Sequence, residues 1–366
     1  MSPLQEAIAA IGPLDSRAMA AAQARMDGLT KPPGSLGRIE ELAVQLAGIR
    51  GQEAPGVRRR TIVVVAADHG IARRGVSAYH PEVTAQMVAN YLAGGAAINV
   101  LAGLASAEVL IVDAGVATTI PRTVDGGTSS TRLLSAPIRA GTADMSVGPA
   151  MTPAETMSAI DLGLGIARDL AIAGTDVIGL GEMGIGNTTA ASALVAVLTG
   201  LPVSAVTGRG TGIDDAALDS KVALIERAIA VNRPSAADPL SVLAAVGGLE
   251  IATLVGLILG AAAAGIPVIL DGFITAAAGL VAACLCPPLP PRLIASHRSV
   301  EPGHAAVLER LGLRPLLELD LRLGEGTGAA LALGLLDAAC AVRDGMATFA
   351  SAGVSGPAGA SGPTAG

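Results

Sequence analysis

The chain has 366 residues, enough for one large domain with an accessory domain, or for two ordinary ones. A formal net charge of −7 and a pI near 5.2 leave no basic surface of the kind that nucleic acid or an anionic membrane requires. Hydrophobic residues make up 51% but aromatics only 1%, with Tyr79, Tyr91, Phe273 and Phe349 and no Trp, so the core is built from Ala, Val, Leu and Ile. Cys284, Cys286 and Cys340 are an odd, poorly spaced set for a disulfide framework or a zinc site, which points to a reducing cytoplasm. The N-terminus carries Glu6 and Asp15 and no basic segment, unlike a secretory leader.

In chain order, residues 3–11, 16–28 and 38–50 predict helices, with a Pro-Gly turn before the third. Residues 61–67, 109–112, 177–180, 267–270, 293–295 and 316–319 are short apolar runs, each ending at a polar or glycine-rich turn and followed by a helical pattern. This alternation predicts an α/β fold, a Rossmann-like parallel sheet of about six strands with helices on both faces. Residues 251–270 carry no charge and reach the length of a membrane span, but Gly265-Ile266-Pro267 divides them into a buried helix and a strand. Residues 1–50 and a helix over 328–344 are expected to form a small helical domain from both termini, around a large catalytic domain at 51–327. Residues 345–366, mostly Gly, Ala, Ser and Pro, read as a disordered tail.

Three glycine-rich loops carry the candidate chemistry. Gly181-Glu182-Met183-Gly184-Ile185-Gly186-Asn187-Thr188-Thr189 follows a strand and opens a helix, where free N–H groups favour a phosphate. Thr207-Gly208-Arg209-Gly210-Thr211-Gly212 leads to Asp214, an N-cap, and to a helix on which Lys221 either reaches a phosphate or lies on the surface. Leu323-Gly324-Glu325-Gly326-Thr327-Gly328 places Glu325 just before an apolar helix, as a dipole partner or as a general base; spacing does not separate the two. After Asp68-His69-Gly70, a helix is expected to bury Val83, Met87, Val88 and Tyr91, with Glu82, Gln86 and Asn90 on a polar stripe; Ser77, Tyr79 and Gln86 could line a pocket for a flat ring. His69, His80, His297 and His304 lack metal-ligand spacing. No Gly-x-Gly-x-x-Gly follows the first strand, which counts against a dinucleotide-dependent oxidoreductase. A non-catalytic nucleotide-binding or membrane-associated protein is the rival from another class.

These segments together resemble the nicotinate-nucleotide dimethylbenzimidazole phosphoribosyltransferases, which make the lower-ligand precursor of cobalamin. The matching blocks are Thr30-Lys31-Pro32-Pro33-Gly34-Ser35-Leu36-Gly37, Ala67-Asp68-His69-Gly70, Val83-Thr84-Ala85-Gln86-Met87-Val88, residues 181–189 and 208–214, Asp271-Gly272-Phe273, and residues 322–328. The resemblance implies attack of a 5,6-dimethylbenzimidazole nitrogen on the anomeric carbon of nicotinate mononucleotide, giving α-ribazole 5′-phosphate and nicotinate with inversion. It makes Glu325 the base and Glu182 the second carboxylate, and it requires no metal or cofactor. It sets Ser77, Tyr79 and Gln86 near the benzimidazole. It gives the phosphate to the loops with Gly184, Gly186, Asn187 and Thr188 and with Gly208, Arg209, Gly210, Thr211 and Gly212, with Lys221 nearby, and it counts Met183 and Leu323 among the substrate-binding residues. It also implies a homodimer. His80-Pro81 departs from the pattern, in which a proline directly follows the tyrosine.

Overall fold

The computed structural model describes residues 1–120 and 131–355. The chain divides into two compact units, the larger formed by Met1–Pro13 with Arg58–Leu333 and the smaller by Leu14–Val57 with the chain from Gly334 on. The first helix, Pro3–Ala10, is started by a Ser2/Gln5 capping box, and its Leu4, with Ile11 just beyond, joins the core of the larger unit. The expectation that residues 1–13 belong with the small helical domain is therefore corrected: two apolar anchors tie them to the large one.

The larger unit holds a six-stranded, fully parallel sheet. Its strands are β1 (Arg60–Ala67), β2 (Glu108–Gly115), β3 (Arg132–Ser135), β4 (Val177–Met183), β5 (Val268–Leu270) and β6 (Leu293–Ala295), in the order β3-β2-β1-β4-β5-β6. β1 is buried along nearly its whole length, as a central parallel strand covered on both faces must be. Val63, Val65 and Ala67 face the cluster that contains the Leu249–Ala263 helix. On the alternate face, Ile62 meets the start of the Thr327–Gly345 helix, where a Cβ on Gly326 would lie 2.8 Å from Ile62 Cγ2.

The uncharged segment at 251–270 folds as expected, as the buried Leu249–Ala263 helix, a left-handed Gly265 and β5. It packs closely on the Pro153–Ile172 helix: a Cβ on Gly163 would fall 2.0 Å from the Thr253 carbonyl, and one on Gly256 2.0 Å from that of Ile160. Glycine here lets two helix backbones touch. Two strand expectations change. Residues 316–319 form no strand, only a bridge from Leu317 to His297; Leu319 is exposed, and nothing covers this run as it would a central strand. The sixth strand is β3, which is exposed at all four residues and gives no burial pattern to read.

In the smaller unit, the Ser16–Asp27 and Arg38–Arg50 helices pack together. Lys31 pairs with Glu40 at 2.8 Å, both buried. Arg343 is buried and donates to the Pro55 carbonyl at 2.9 Å. The chain after Gly345 stays ordered here: Thr30 donates to the Ala347 carbonyl at 3.0 Å, and Phe349–Ala352 form a helical turn capped by Thr348. That corrects the expected disorder for 345–355; residues 356–366 lie outside the described residues.

Candidate active site

β1 and β4 are neighbours at the centre of the sheet, with β2 and β3 on one side and β5 and β6 on the other. In such sheets the crevice for ligands lies beyond the carboxyl ends of the strands, where the winding reverses. A cavity of about 420 Å³ sits there, walled by the residues that follow β4, β5 and β6 and by the loop that precedes the Thr327–Gly345 helix.

The geometry around Glu325 gives the capping task to another residue. Gly324, Glu325 and Gly326 all have left-handed backbones, with φ of 83°, 65° and 91°. For a non-glycine residue that conformation costs on the order of 1 kcal/mol, and such strain gathers at functional sites. The helix that follows is capped by Asp271: one carboxylate oxygen accepts from Gly326 N at 3.0 Å, the other from Gly328 N at 2.7 Å and Ala329 N at 3.2 Å. Glu325 is thus free of the capping task. Its side chain lines the cavity, is buried, and leaves Oε2 without a hydrogen bond. Burial raises its pKa; the nearby Tyr91 hydroxyl, itself buried without a hydrogen bond of regular geometry, and the Ile98 amide hold it partly down.

Two more buried carboxyls lie nearby, Glu182 in the cavity lining and Asp271 outside it. Glu182 accepts a short hydrogen bond from Asn187 Nδ2 and is pushed up to about 8, by burial first and then by the charges of Asp271, Glu250 and Glu325. Asp271 is pushed up to about 7 by burial, against the pull of its three amide donors. Acids this close exchange protons as a set. The loops are glycine because nothing larger fits: a Cβ on Gly181 would lie 2.4 Å from the Glu325 carbonyl oxygen, and one on Gly324 2.3 Å from Glu182 Oε1. His297 also faces the cavity, and burial lowers it to about 4, leaving it neutral. Behind the 184–186 turn, His69 Nε2 meets Glu250 Oε1 at 2.7 Å in full burial.

The opposite wall carries Ser77, Gly210, Thr211, Ser299, Glu301 and Arg322. Ser77 and Thr211 hydroxyls lie 3.1 Å apart, and Ala78 N donates to the latter at 3.0 Å. Lys221 is fully buried behind Thr188, donating to its hydroxyl at 2.8 Å and to the Gly208 carbonyl at 3.2 Å. Burial lowers it to about 8, with the Glu301 charge opposing.

A family model described as phosphoribosyltransferase matches residues 11–354. A nicotinate-nucleotide–dimethylbenzimidazole phosphoribosyltransferase from Roseiflexus sp. (strain RS-1) is 56% identical over 97% of this chain and 99% of its own length. The enzyme of the same name from Geobacter metallireducens is 51% identical over 97% and 98%. A crystal structure under that name from Thermus thermophilus superposes with a TM-score of 0.86 at 47% identity, over 94% of this chain and all of the other. The chain belongs to this phosphoribosyltransferase family. It is a pentosyltransferase, and the α/β parallel-sheet expectation holds. Its activity is phosphoribosyl transfer in cobalamin lower-ligand synthesis.

Of the residues expected at the site of this phosphoribosyltransferase, Glu325, Glu182, Ser77, Tyr79, Met183, Gly184, Gly186, Asn187, Thr188, Gly210, Thr211 and Leu323 line the cavity. Tyr79 and Leu323 sit at its rim, 55% and 57% exposed. Gln86 does not: the Val83–Ala93 helix turns Val83 and Met87 to the cavity and leaves Gln86 exposed. Its buried face is Thr84, Ala85, Val88 and Tyr91, so Val83 and Met87 leave the core set expected from the sequence. Gly208 backs the wall against Glu301. Gly212 is exposed, and Arg209 turns outward to Asp215 and the Ile213 carbonyl. Lys221 is not in the lining and stands behind Thr188 and Gly210. The cation that does face the cavity is Arg322. Asp271, His297, Glu301 and Arg322 were not singled out as site residues. Asp271 and Arg322 fall within blocks that carry the resemblance and His297 stands at a strand end, which is a weak signal; Glu301 carries none.

Proposed function

We propose that the enzyme transfers the 5-phosphoribosyl group of nicotinate mononucleotide to 5,6-dimethylbenzimidazole, with Glu325 as general base and inversion at the anomeric carbon. The observation that carries this reading is Glu325 itself: a strained, buried carboxylate in the cavity wall, with an unpartnered oxygen, beside a helix start that Asp271 already caps. Once one benzimidazole nitrogen is alkylated, the ring must lose the proton on the other, and a carboxylate within reach takes it. The leaving pyridine carries positive charge and departs as a neutral ring, so it needs no acid. Glu182, held near neutrality, supports the same wall without adding a second full charge.

Val83, Met87, Phe273 and Ile274 give the cavity apolar surface for a flat ring. The phosphate goes to residues 184–188, where the Asn187–Thr199 helix begins, with Arg322 as counter-charge. The Gly210 amide is already taken by Glu301, which makes the 208–212 loop the poorer phosphate site. A reducing cytoplasm agrees with the three free cysteines, and a homodimer follows from the family resemblance alone.

Mass spectrometry of products from nicotinate mononucleotide and a panel of benzimidazoles and purines tests reaction and acceptor together. Nicotinate release with a nucleotide of matching mass, assigned as the α anomer by NMR, is the expected result, and no condensation product with any base would refute the reading. One or two ring methyls discriminate by only about 1 to 3 kcal/mol, so the panel should show graded preference. Nicotinate riboside binding as tightly as the mononucleotide would remove the phosphate assignment.

A further inference from the structure

We propose that Glu301 is a specificity-determining residue that accepts a hydrogen bond from a ribose hydroxyl of the nucleotide, which makes the enzyme select ribosyl over deoxyribosyl donors. This rests on the transfer reaction proposed above. Glu301 occupies the N-cap position of the Pro302–Leu311 helix, where a side-chain acceptor normally takes one of the first helical N–H groups; it makes no such bond. Its carboxylate turns into the cavity wall instead. Oε1 accepts from Gly210 N at 2.9 Å, and Oε2 is buried with no partner.

Oε2 packs against Gly208: a Cβ there would lie 2.1 Å from it, so a larger residue would have to displace this carboxylate. The Ser299 hydroxyl accepts from Glu301 N at 3.3 Å and fixes the backbone from which the side chain projects. Among the described residues no Lys or Arg pairs with Glu301: Lys221 is engaged by Thr188 and Gly208, Arg209 by Asp215, and Arg322 donates to the Gly210 carbonyl at 3.5 Å. A buried carboxylate oxygen without a donor is costly, and a ligand that supplies one is favoured by that amount.

The chemistry of the substrates decides which ligand group this is. The 5′-phosphate and the pyridine carboxylate are anions, and Glu301 repels both. The remaining donors are the two ribose hydroxyls and the benzimidazole N–H, and the last belongs to Glu325, which is set against Gly181 and the Asp271 cap rather than against the 208–212 loop. A hydroxyl of the sugar is what remains.

The test compares kcat/KM for nicotinate mononucleotide with its 2′-deoxy and 3′-deoxy counterparts in the wild type, Glu301→Ala, Glu301→Gln and Glu301→Asp, with thermal melting to check folding. Taking the ratio between enzymes cancels the intrinsic reactivity of the deoxy sugars. For at least one deoxy donor, the wild type should discriminate about 10- to 100-fold more than Glu301→Ala, with Gln and Asp between them. If Ala fails to fold, the Gln and Asp ratios decide in the same sense. Equal discrimination by every folded enzyme overturns the proposal alone. No transfer from the mononucleotide by the wild type overturns the parent reading and this inference with it.

Discussion

Glu325→Gln removes a proton acceptor and little else. Gln has nearly the same volume, pays the same conformational cost at a φ of 65°, and leaves the Asp271 bonds to Gly326, Gly328 and Ala329 in place. Loss of a general base lowers turnover by about 10² to 10⁴, which corresponds to about 2.7 to 5.4 kcal/mol of transition-state stabilisation. Stability should move the other way with pH. The folded-state pKa of Glu325 lies above its ordinary 4.5, so as pH rises past that value the unfolded chain ionises first and the wild type loses stability until the folded pKa is passed. Gln does not titrate, so the variant gains on the wild type as pH climbs. Nicotinate release under saturating base, with melting curves from pH 4 to 9, reads both effects. Near wild-type turnover would remove Glu325 from the mechanism. A turnover loss matched by a falling melting temperature at every pH would make its role structural.

Asp271→Ala strips three amides of their acceptor and should cost about 2 kcal/mol or more, seen by chemical denaturation, with kcat falling as the Glu325 loop loosens. Glu182 sits near 8 when folded against an ordinary 4.5, so its burial favours the protonated form and stability is lost as pH rises across that interval; Glu182→Gln should flatten the loss. If catalysis needs Glu182 protonated, wild-type kcat should fall as pH rises through about 8 and the fall should vanish in Glu182→Gln, as a pH–rate profile will show. Gly181→Ala would place a methyl 2.4 Å from the Glu325 carbonyl oxygen, so kcat should drop at least about tenfold while the far-UV spectrum persists.

The central strands were legible because each is a buried, largely β-branched or leucine run that stops at an acid or a glycine; 268–270 inside the uncharged 251–270 segment is the clearest case. β3 was not, because an exposed edge strand has no hydrophobic period. Glu325, Glu182 and most of 184–188 fall in the cavity lining, as glycine clusters mark backbone that must come close to something, whereas of the 208–212 loop only Gly210 and Thr211 do. What stayed hidden is non-local. Asp271 looks like any acid after a strand; its task appears only when the amides at 326, 328 and 329 are folded against it. Glu301 in Ser299-Val300-Glu301-Pro302 reads as an ordinary helix start. Gln86 was drawn in by its polar stripe, but the helix presents Val83 and Met87, four residues apart, to the cavity. Lys221 was weighed as a surface residue or a phosphate ligand and is neither exposed nor in the wall.

The proton balance of the proposed reaction gives these buried acids a common purpose. The products carry one proton fewer than the substrates, and that proton must leave the base ring inside a cavity that resists charge of either sign. His297 is held neutral near 4, Lys221 is drawn down to about 8, and Glu182 and Asp271 sit at about 8 and 7. Neither neighbour of Glu325 is therefore a full competing anion near neutral pH, and the proposed scheme needs Glu325, where Tyr91 and the Ile98 amide oppose the upward push of burial, to carry the single carboxylate charge. A cationic pyridinium sugar stabilises that single charge, and the neutral pyridine that leaves removes the stabilisation just as the alkylated benzimidazole offers its proton. The rise in Glu325 pKa on departure of nicotinate then drives proton capture, so the leaving step and the base step reinforce one another without a metal or an external acid in the scheme.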